Sequence, residues 1–171
     1  MDFAPWMLIW PLFGWLLNGL LGRRLSRGLS GAVACATVGA SFIVALLVLA
    51  AYRQTPSPEA ALSVTVPLFS WLGAGDLWVD ASLLVDALSL TMALTVSGVG
   101  FLIHVYSLGY MAEDPDAPRY SAYLNLFVFA MLLLVTAGNL LVLFVGWELV
   151  GVCSYLLIGF WFARPAAKPS S

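Results

Sequence analysis

Five apolar runs, at residues 3–21, 30–52, 83–106, 120–137 and 140–162, each approach or exceed the length of a membrane crossing. A hydrocarbon core of about 30 Å takes about 20 apolar residues of helix, and inside it only helices or closed barrels satisfy the backbone. None of the runs alternates apolar and polar residues as a barrel strand must. The sequence therefore predicts an all-α membrane protein, a polytopic transmembrane bundle of five helices. Between the second and third runs, Pro56, Pro58 and Pro67 forbid helix, and the alternating pieces SVTV and DLWV flank Gly73 and Gly75. That segment reads as a short extracytoplasmic hairpin loop. The organisation expected is two helices plus the hairpin over residues 1–81, three helices over 82–162 and a cytoplasmic tail over 163–171.

Composition narrows the function classes. Hydrophobic residues make up 62% and charged residues 9%, far from an ordinary soluble domain. Seven Lys and Arg against nine Asp and Glu leave a charge of −2, with no basic surface to track a phosphate backbone, so nucleic acid is not a partner. Cys35 and Cys153 lie inside apolar runs and form no metal-binding spacing, which predicts small packing residues. There is no GxGxxG turn, no P-loop and no iron–sulfur spacing, so no cofactor is expected to be held by this chain.

The Arg23, Arg24 and Arg27 cluster follows the first run instead of preceding it, which is neither a signal peptide nor a twin-arginine leader, so the first helix is expected to be retained. With the N-terminus outside, Arg23, Arg24, Arg27, Arg119, Arg164 and Lys168 fall inside and only Arg53 outside. The bias of short loops toward cytoplasmic Lys and Arg predicts that orientation, with the C-terminus cytoplasmic. Trp6, Trp10, Trp71, Trp78 and Trp161 read as interfacial aromatics. The loop MAEDPDAP reads as a solvated acidic turn, because it lacks the glycine and terminal glutamate of a calcium loop. Ala32, Ala36 and Ala40 form a small-residue stripe expected to be buried against another helix. Asp80 and Asp86 are expected to open and cap the third helix, with a water-accessible acid as the alternative for Asp86.

Two positions carry possible proton chemistry. His104, counted from Leu83, falls about 30 Å along its run, near the inner interface. An interfacial hydrogen-bonding role and a proton relay are both open to it, since imidazole titrates near neutrality. Tyr106, Tyr110, Tyr120 and Tyr123 lie at similar depth, as a continuing polar path or as aromatic anchors. Glu148 has no interfacial explanation: it lies about 12 Å from Leu140, too deep for its side chain to reach the surface. An ionised acid at a helix centre costs about 2.5 to 3.5 kcal/mol, so it needs a partner or a proton. No Lys or Arg of this chain lies at that depth, and its helix neighbours Gly151 and Tyr155 leave room for water or another helix. Glu148 is therefore expected to be an intramembrane proton-loading site, with a packing acid hydrogen-bonded between helices as the bland alternative.

The phrases GVGFLIHVYSLGYM, RYSAYLNLF and NLLVLFVGWELVGVCSYLLIGFW, all between Gly98 and Trp161, resemble the N-terminal part of the subunit L family of NADH-quinone oxidoreductase, respiratory complex I, called subunit 5 in mitochondria. The LVDALS phrase and the hairpin layout extend the resemblance toward the N-terminus. It implies an antiporter-like subunit that moves protons while partner subunits oxidise NADH and reduce quinone. It also implies an inner (plasma) membrane location among other membrane subunits of the complex. By this resemblance Glu148 matches the family's glutamate on the fifth helix, while His104, Tyr106, Tyr110 and Asn125 match motif positions; Tyr155, on the Glu148 face, joins His104 and Asn125 as a candidate. Gly138 stands where the family usually carries an acid, and Leu149 where it commonly carries glycine. Family members run to several hundred residues, which makes a fragment, a split subunit completed by another chain, or a truncated product the expectation. The alternatives to proton translocation are a structural membrane subunit without transport of its own, or part of a multisubunit cation/proton antiporter.

Overall fold

Side-chain caps mark where three of the helices begin. Ser26 accepts a hydrogen bond from the Leu29 amide, Asp86 and Ser89 form a reciprocal capping box, and Asn139 Oδ1 accepts from the amides of Leu141 and Val142. The computed structural model describes residues 2–22, 24–54, 63–74 and 77–161. Within these the elements are α1 (Trp6–Leu21), α2 (Arg27–Arg53), β1 (Val64–Ala74), β2 (Leu77–Val85), α3 (Ala87–Tyr110), α4 (Ala117–Val135) and α5 (Leu140–Ile158). The expected helix bundle with a hairpin is the architecture observed. Helices α2 to α5 are long and apolar enough to cross a membrane. Helix α1, with 16 residues, spans about 24 Å and packs against α2 and α4. The chain is a multi-pass membrane protein.

Strands β1 and β2 pair antiparallel from Val64 opposite Val85 to Ala74 opposite Leu77, with irregularities between Pro67 and Phe69 and between Ser70 and Leu72. Pro67 has no amide to give a ladder and sits at the first irregularity, where a strand tolerates it. The strands are longer than the two alternating pieces suggested, and pairing carries β2 through Leu83–Val85, so the third helix begins at Ala87 and not at Leu83. Asp80 consequently lies in β2 opposite Ser70 and does not open a helix, whereas Asp86 caps α3 as expected.

The hairpin is fastened to the α4–α5 turn. Leu84 donates its amide to the Thr136 carbonyl, Gly138 to that of Ser82, and the Asn139 side chain donates to the Asp80 carbonyl at 2.7 Å. A Cβ on Gly138 would press on the Ser82 carbonyl, so the glycine lets this turn lie flat on the strand. One core at this end joins Ala4 and Met7 of the N-terminal region, Val48, Val66, Leu83, Leu90 and Leu132. At the opposite end Met111, Ala117 and Phe160 pack with Tyr120 and Tyr123. The helices thus run alternately up and down, with the hairpin at one end and Arg24, Arg27 and Arg119 at the other. Arg23, Arg164 and Lys168, which entered the charge bias, lie outside the described residues.

Helices α2 and α3 meet through reciprocal notches, with the Phe101 ring over Gly39 and the Phe42 ring over Gly98. The Ala32, Ala36 and Ala40 stripe is not the buried face of α2: Ala32 and Ala36 are exposed and Ala40 is half-buried. The helix buries the neighbouring face, Ser30, Ala34, Thr37, Val38, Ser41 and Ala45. Hydroxyls decide the rotation, because in hydrocarbon they need partners. Ser41 Oγ donates to the Met7 carbonyl at 2.6 Å and Ser30 Oγ to Asn18 Oδ1 at 2.8 Å, both on α1. The alanines have no such requirement. Cys35 and Cys153 are buried free thiols, the packing role expected of them.

Candidate functional site

Polar side chains from three helices meet inside the bundle. His104 on α3 is 3% exposed and Asn125 on α4 fully buried, and His104 Nε2 lies 2.7 Å from Asn125 Oδ1. His104 Nδ1 lies 2.8 Å from the Gly100 carbonyl one turn back, and Asn125 Nδ2 donates to Thr37 Oγ1 on α2 at 3.2 Å. Thr37 in turn donates to the Ala34 carbonyl at 3.0 Å. Gly14 of α1 closes the cluster: a Cβ there would fall on both the Asn125 amide nitrogen and the Thr37 hydroxyl. Helix α1 approaches this closely because that position has no side chain. One turn along, Asn18 accepts from Ser30, while its Nδ2 is buried with no hydrogen-bond partner among the described residues.

His104, which counting along the sequence sets near the inner interface, is buried between α3 and α4 short of the end of its helix. Helix α3 runs on to Tyr110, so about 9 Å of helix lies beyond the histidine. It lines a cavity of about 240 Å³ that extends past Ser107 and Ser121 to Arg27 and Met111. With His104, Ser107, Ser121 and Arg27 on its wall, a cavity of this size has room for several waters. The nearby tyrosines pack ring against ring at this end of the bundle. Tyr106 stacks on Tyr110 at 5.8 Å, Tyr110 meets Trp161, and Tyr120 and Tyr123 meet the Phe160 ring edge to face. In the acidic turn, Asp114 accepts hydrogen bonds from the Asp116 amide and the Trp161 indole, and the Glu113 carbonyl accepts from Arg27.

Glu148 lies elsewhere. Helix α5 turns Val142, Gly146 and Cys153 inward, and a Cβ on Gly146 would meet the Leu134 backbone of α4 at 2.8 Å. Glu148, two residues past Gly146, is carried to the opposite, exposed face. Gly151 on that face has nothing within 4 Å of an added Cβ, and Tyr155 is 78% exposed. The structure therefore brings His104 and Asn125 together and leaves Glu148 and Tyr155 on the outer surface of α5. Glu148 is about 12 Å from one end of its helix and about 15 Å from the other. Thr37 and Gly14 belong to this cluster and Asn18 and Ser30 form a second polar pair between α1 and α2; none of the four is among the sequence-predicted candidates. The signal was available: Ser30, Ala34, Thr37 and Ser41 recur at helical spacing, and Asn18 is an amide within an apolar run.

Two family models match the chain. The N-terminal region of NADH-ubiquinone oxidoreductase (complex I) chain 5 matches residues 71–121, and the NADH:quinone oxidoreductase/Mrp antiporter transmembrane region matches residues 137–171. A Mycobacterium tuberculosis protein named NADH-quinone oxidoreductase subunit L is 47% identical over 97% of this chain and 26% of its own length. Its Pseudomonas aeruginosa namesake is 41% identical over 96% of this chain and 26% of its own. NADH-ubiquinone oxidoreductase chain 5 of Talaromyces marneffei is 40% identical over 96% and 24% respectively. The chain spans about a quarter of the length of the curated relatives it matches. Among solved structures, a chain of the archaeal membrane-bound sulfane sulfur reductase, a respiratory membrane complex, superposes with a TM-score of 0.71 at 15% identity, over 91% of this chain and 30% of that one, which speaks to the fold.

Proposed function

Because the chain belongs to the NADH-quinone oxidoreductase subunit L and chain 5 family of antiporter-like complex I membrane subunits, we propose that it forms part of a proton-translocating subunit in the inner (plasma) membrane. Glu148 is the proton-loading group in this reading, and His104, Asn125 and Tyr155 are supporting polar positions. The observation that carries it is the acid at mid-helix on an open face of α5, where neither a helix contact nor a cation among the described residues accounts for it. Intramembrane acids face a protein interior or a water-filled cavity. The exposed face of Glu148, Gly151 and Tyr155 is accordingly assigned to contact with further membrane helices that bring water or a cation to the carboxyl. Those helices and the other membrane subunits of the complex are the partners.

A tagged copy of the chain expressed in its own cells and extracted in mild detergent is expected to co-migrate with a large membrane complex that oxidises NADH with quinone. Isolation of the tagged chain free of any such complex, from membranes where that complex is intact, would overturn the assignment.

The proposed orientation has the hairpin outside and the Arg24, Arg27 and Arg119 end inside. In a background with Cys35 and Cys153 replaced by alanine, Trp78→Cys is expected to react with an impermeant maleimide added to intact spheroplasts. Gly28→Cys should react only after the membrane is opened. Labelling of Gly28→Cys from outside would reverse the topology.

A further inference from the structure

His104 and Asn125 form a hydrogen-bond network that closes in two ways, differing by one proton. The Gly100 carbonyl can only accept, so His104 Nδ1 carries a hydrogen in either case. With the Asn125 amide as it stands, Nε2 also faces an acceptor oxygen, which is the pattern of an imidazolium: Nε2–H donates to Oδ1, Nδ2–H to Thr37 Oγ1, and the Thr37 hydroxyl to the Ala34 carbonyl. Turn the amide over and the neutral ring is satisfied equally well. The Asn125 NH2 then donates to the bare Nε2, and the Thr37 hydroxyl swings from the Ala34 carbonyl to donate to Asn125 Oδ1. Each state pairs both ring nitrogens and both ends of the amide, and the states differ by the single proton on Nε2.

We propose that His104 is a proton-holding site of its own inside the bundle, that the Asn125 amide turns over as Nε2 gains or loses its proton, and that the proton arrives through the cavity leading to Arg27. The site thereby holds a proton while keeping both ring nitrogens and both the oxygen and the nitrogen of the amide hydrogen-bonded, which limits the usual cost of a polar group in hydrocarbon. The groups facing it support reversible loading. From α2 these are Thr37 and, at the far mouth of the cavity, Arg27; from α4 Asn125 and Ser121; from α1 Gly14, which has no side chain to obstruct the amide. Among the described residues lining the cavity there is no carboxylate, so no ion pair traps the imidazolium. The proposal rests on reading the chain as part of a proton-translocating subunit, but its test observes the imidazole and not pumping, so the two can fail separately.

His104 is the one histidine in the sequence, so 15N-histidine labelling of the full chain in lipid bilayers gives a single imidazole. With 15N-asparagine also introduced, solid-state NMR across pH 5 to 8 is expected to show Nδ1 protonated throughout and Nε2 gaining its proton as the pH falls. The neutral ring would then be the Nδ1–H tautomer, opposite to the preference of imidazole in water. The Asn125 carboxamide signal should shift over the same pH interval, and Thr37→Val should abolish that coupled shift. A neutral ring protonated on Nε2, an imidazole that does not titrate in this range, or an Asn125 signal that ignores the titration would each overturn the switch. Loss of pumping in other variants would leave this result untouched.

Discussion

Gly14→Ala is expected to destabilise the bundle by about 3 kcal/mol, although alanine is normally the better helix residue. The added methyl falls where the Asn125 amide nitrogen and the Thr37 hydroxyl already sit, at a close approach of α1 to α2 and α4. Overpacking costs about 1–3 kcal/mol. Pushing the amide aside also breaks the buried bonds to Thr37 and His104, and an unsatisfied buried polar group costs about 1–3 kcal/mol more. Gly19, five residues along the same helix, has nothing within 4 Å of an added Cβ. Gly19→Ala is therefore the control, expected to be neutral or to stabilise by up to about 1 kcal/mol through helix propensity. Reversible unfolding in mixed detergent measures both. The double variant Gly14→Ala with Asn125→Ala should recover part of the loss, because the new methyl enters space the amide has left. Equal stability of Gly14→Ala and Gly19→Ala would mean that α1 does not seat on the cluster as described.

The contrast between these glycines shows what the sequence made legible. Apolar runs of membrane length announced the bundle, because backbone satisfaction in hydrocarbon leaves helices as the solution. The prolines and alternating residues marked the hairpin for a similarly local reason. Rotation of each helix about its axis was harder. Ala32, Ala36 and Ala40 offered a plausible interface, but the hydroxyls of Ser30, Thr37 and Ser41 set the orientation by finding partners on α1 and its own turn. Those partners are 34 residues away in one case and 12 in another, so no local pattern names them. The apolar run read from Leu83 to Tyr106 is shifted in the structure, where α3 spans Ala87–Tyr110 and His104 has about 9 Å of helix beyond it. Its bond to Asn125, 21 residues on, became visible only when α3 and α4 were set side by side. Gly138 had seemed merely a position lacking an acid; packed against the Ser82 carbonyl, it is a position with no room for one unless the turn moves.

Glu148→Gln is expected to remove most of the proton pumping from a complex that contains this chain, while leaving its assembly and NADH oxidation by an artificial acceptor near wild type. The substitution keeps the length and shape of the side chain, and a carboxamide can hydrogen-bond to water or a neighbouring helix as a protonated carboxyl does. It cannot bind and release a proton. Because Glu148 makes no hydrogen bond or ion pair among the described residues and faces outward beside the open notch at Gly151, the bundle itself has nothing to lose from the change. Any loss of pumping must then come from titration at the face where further helices are assigned. Glu148→Asp, which titrates but is one methylene shorter, should retain partial activity, and Glu148→Leu should match Glu148→Gln. NADH-driven acidification of inverted membrane vesicles, normalised to the amount of assembled complex, is the measurement. Pumping by Glu148→Gln at the wild-type rate would leave the acid as a surface charge without a transport role. Recovery in Glu148→Asp but not in Glu148→Gln would identify proton exchange, and not hydrogen bonding or packing, as the property this position supplies.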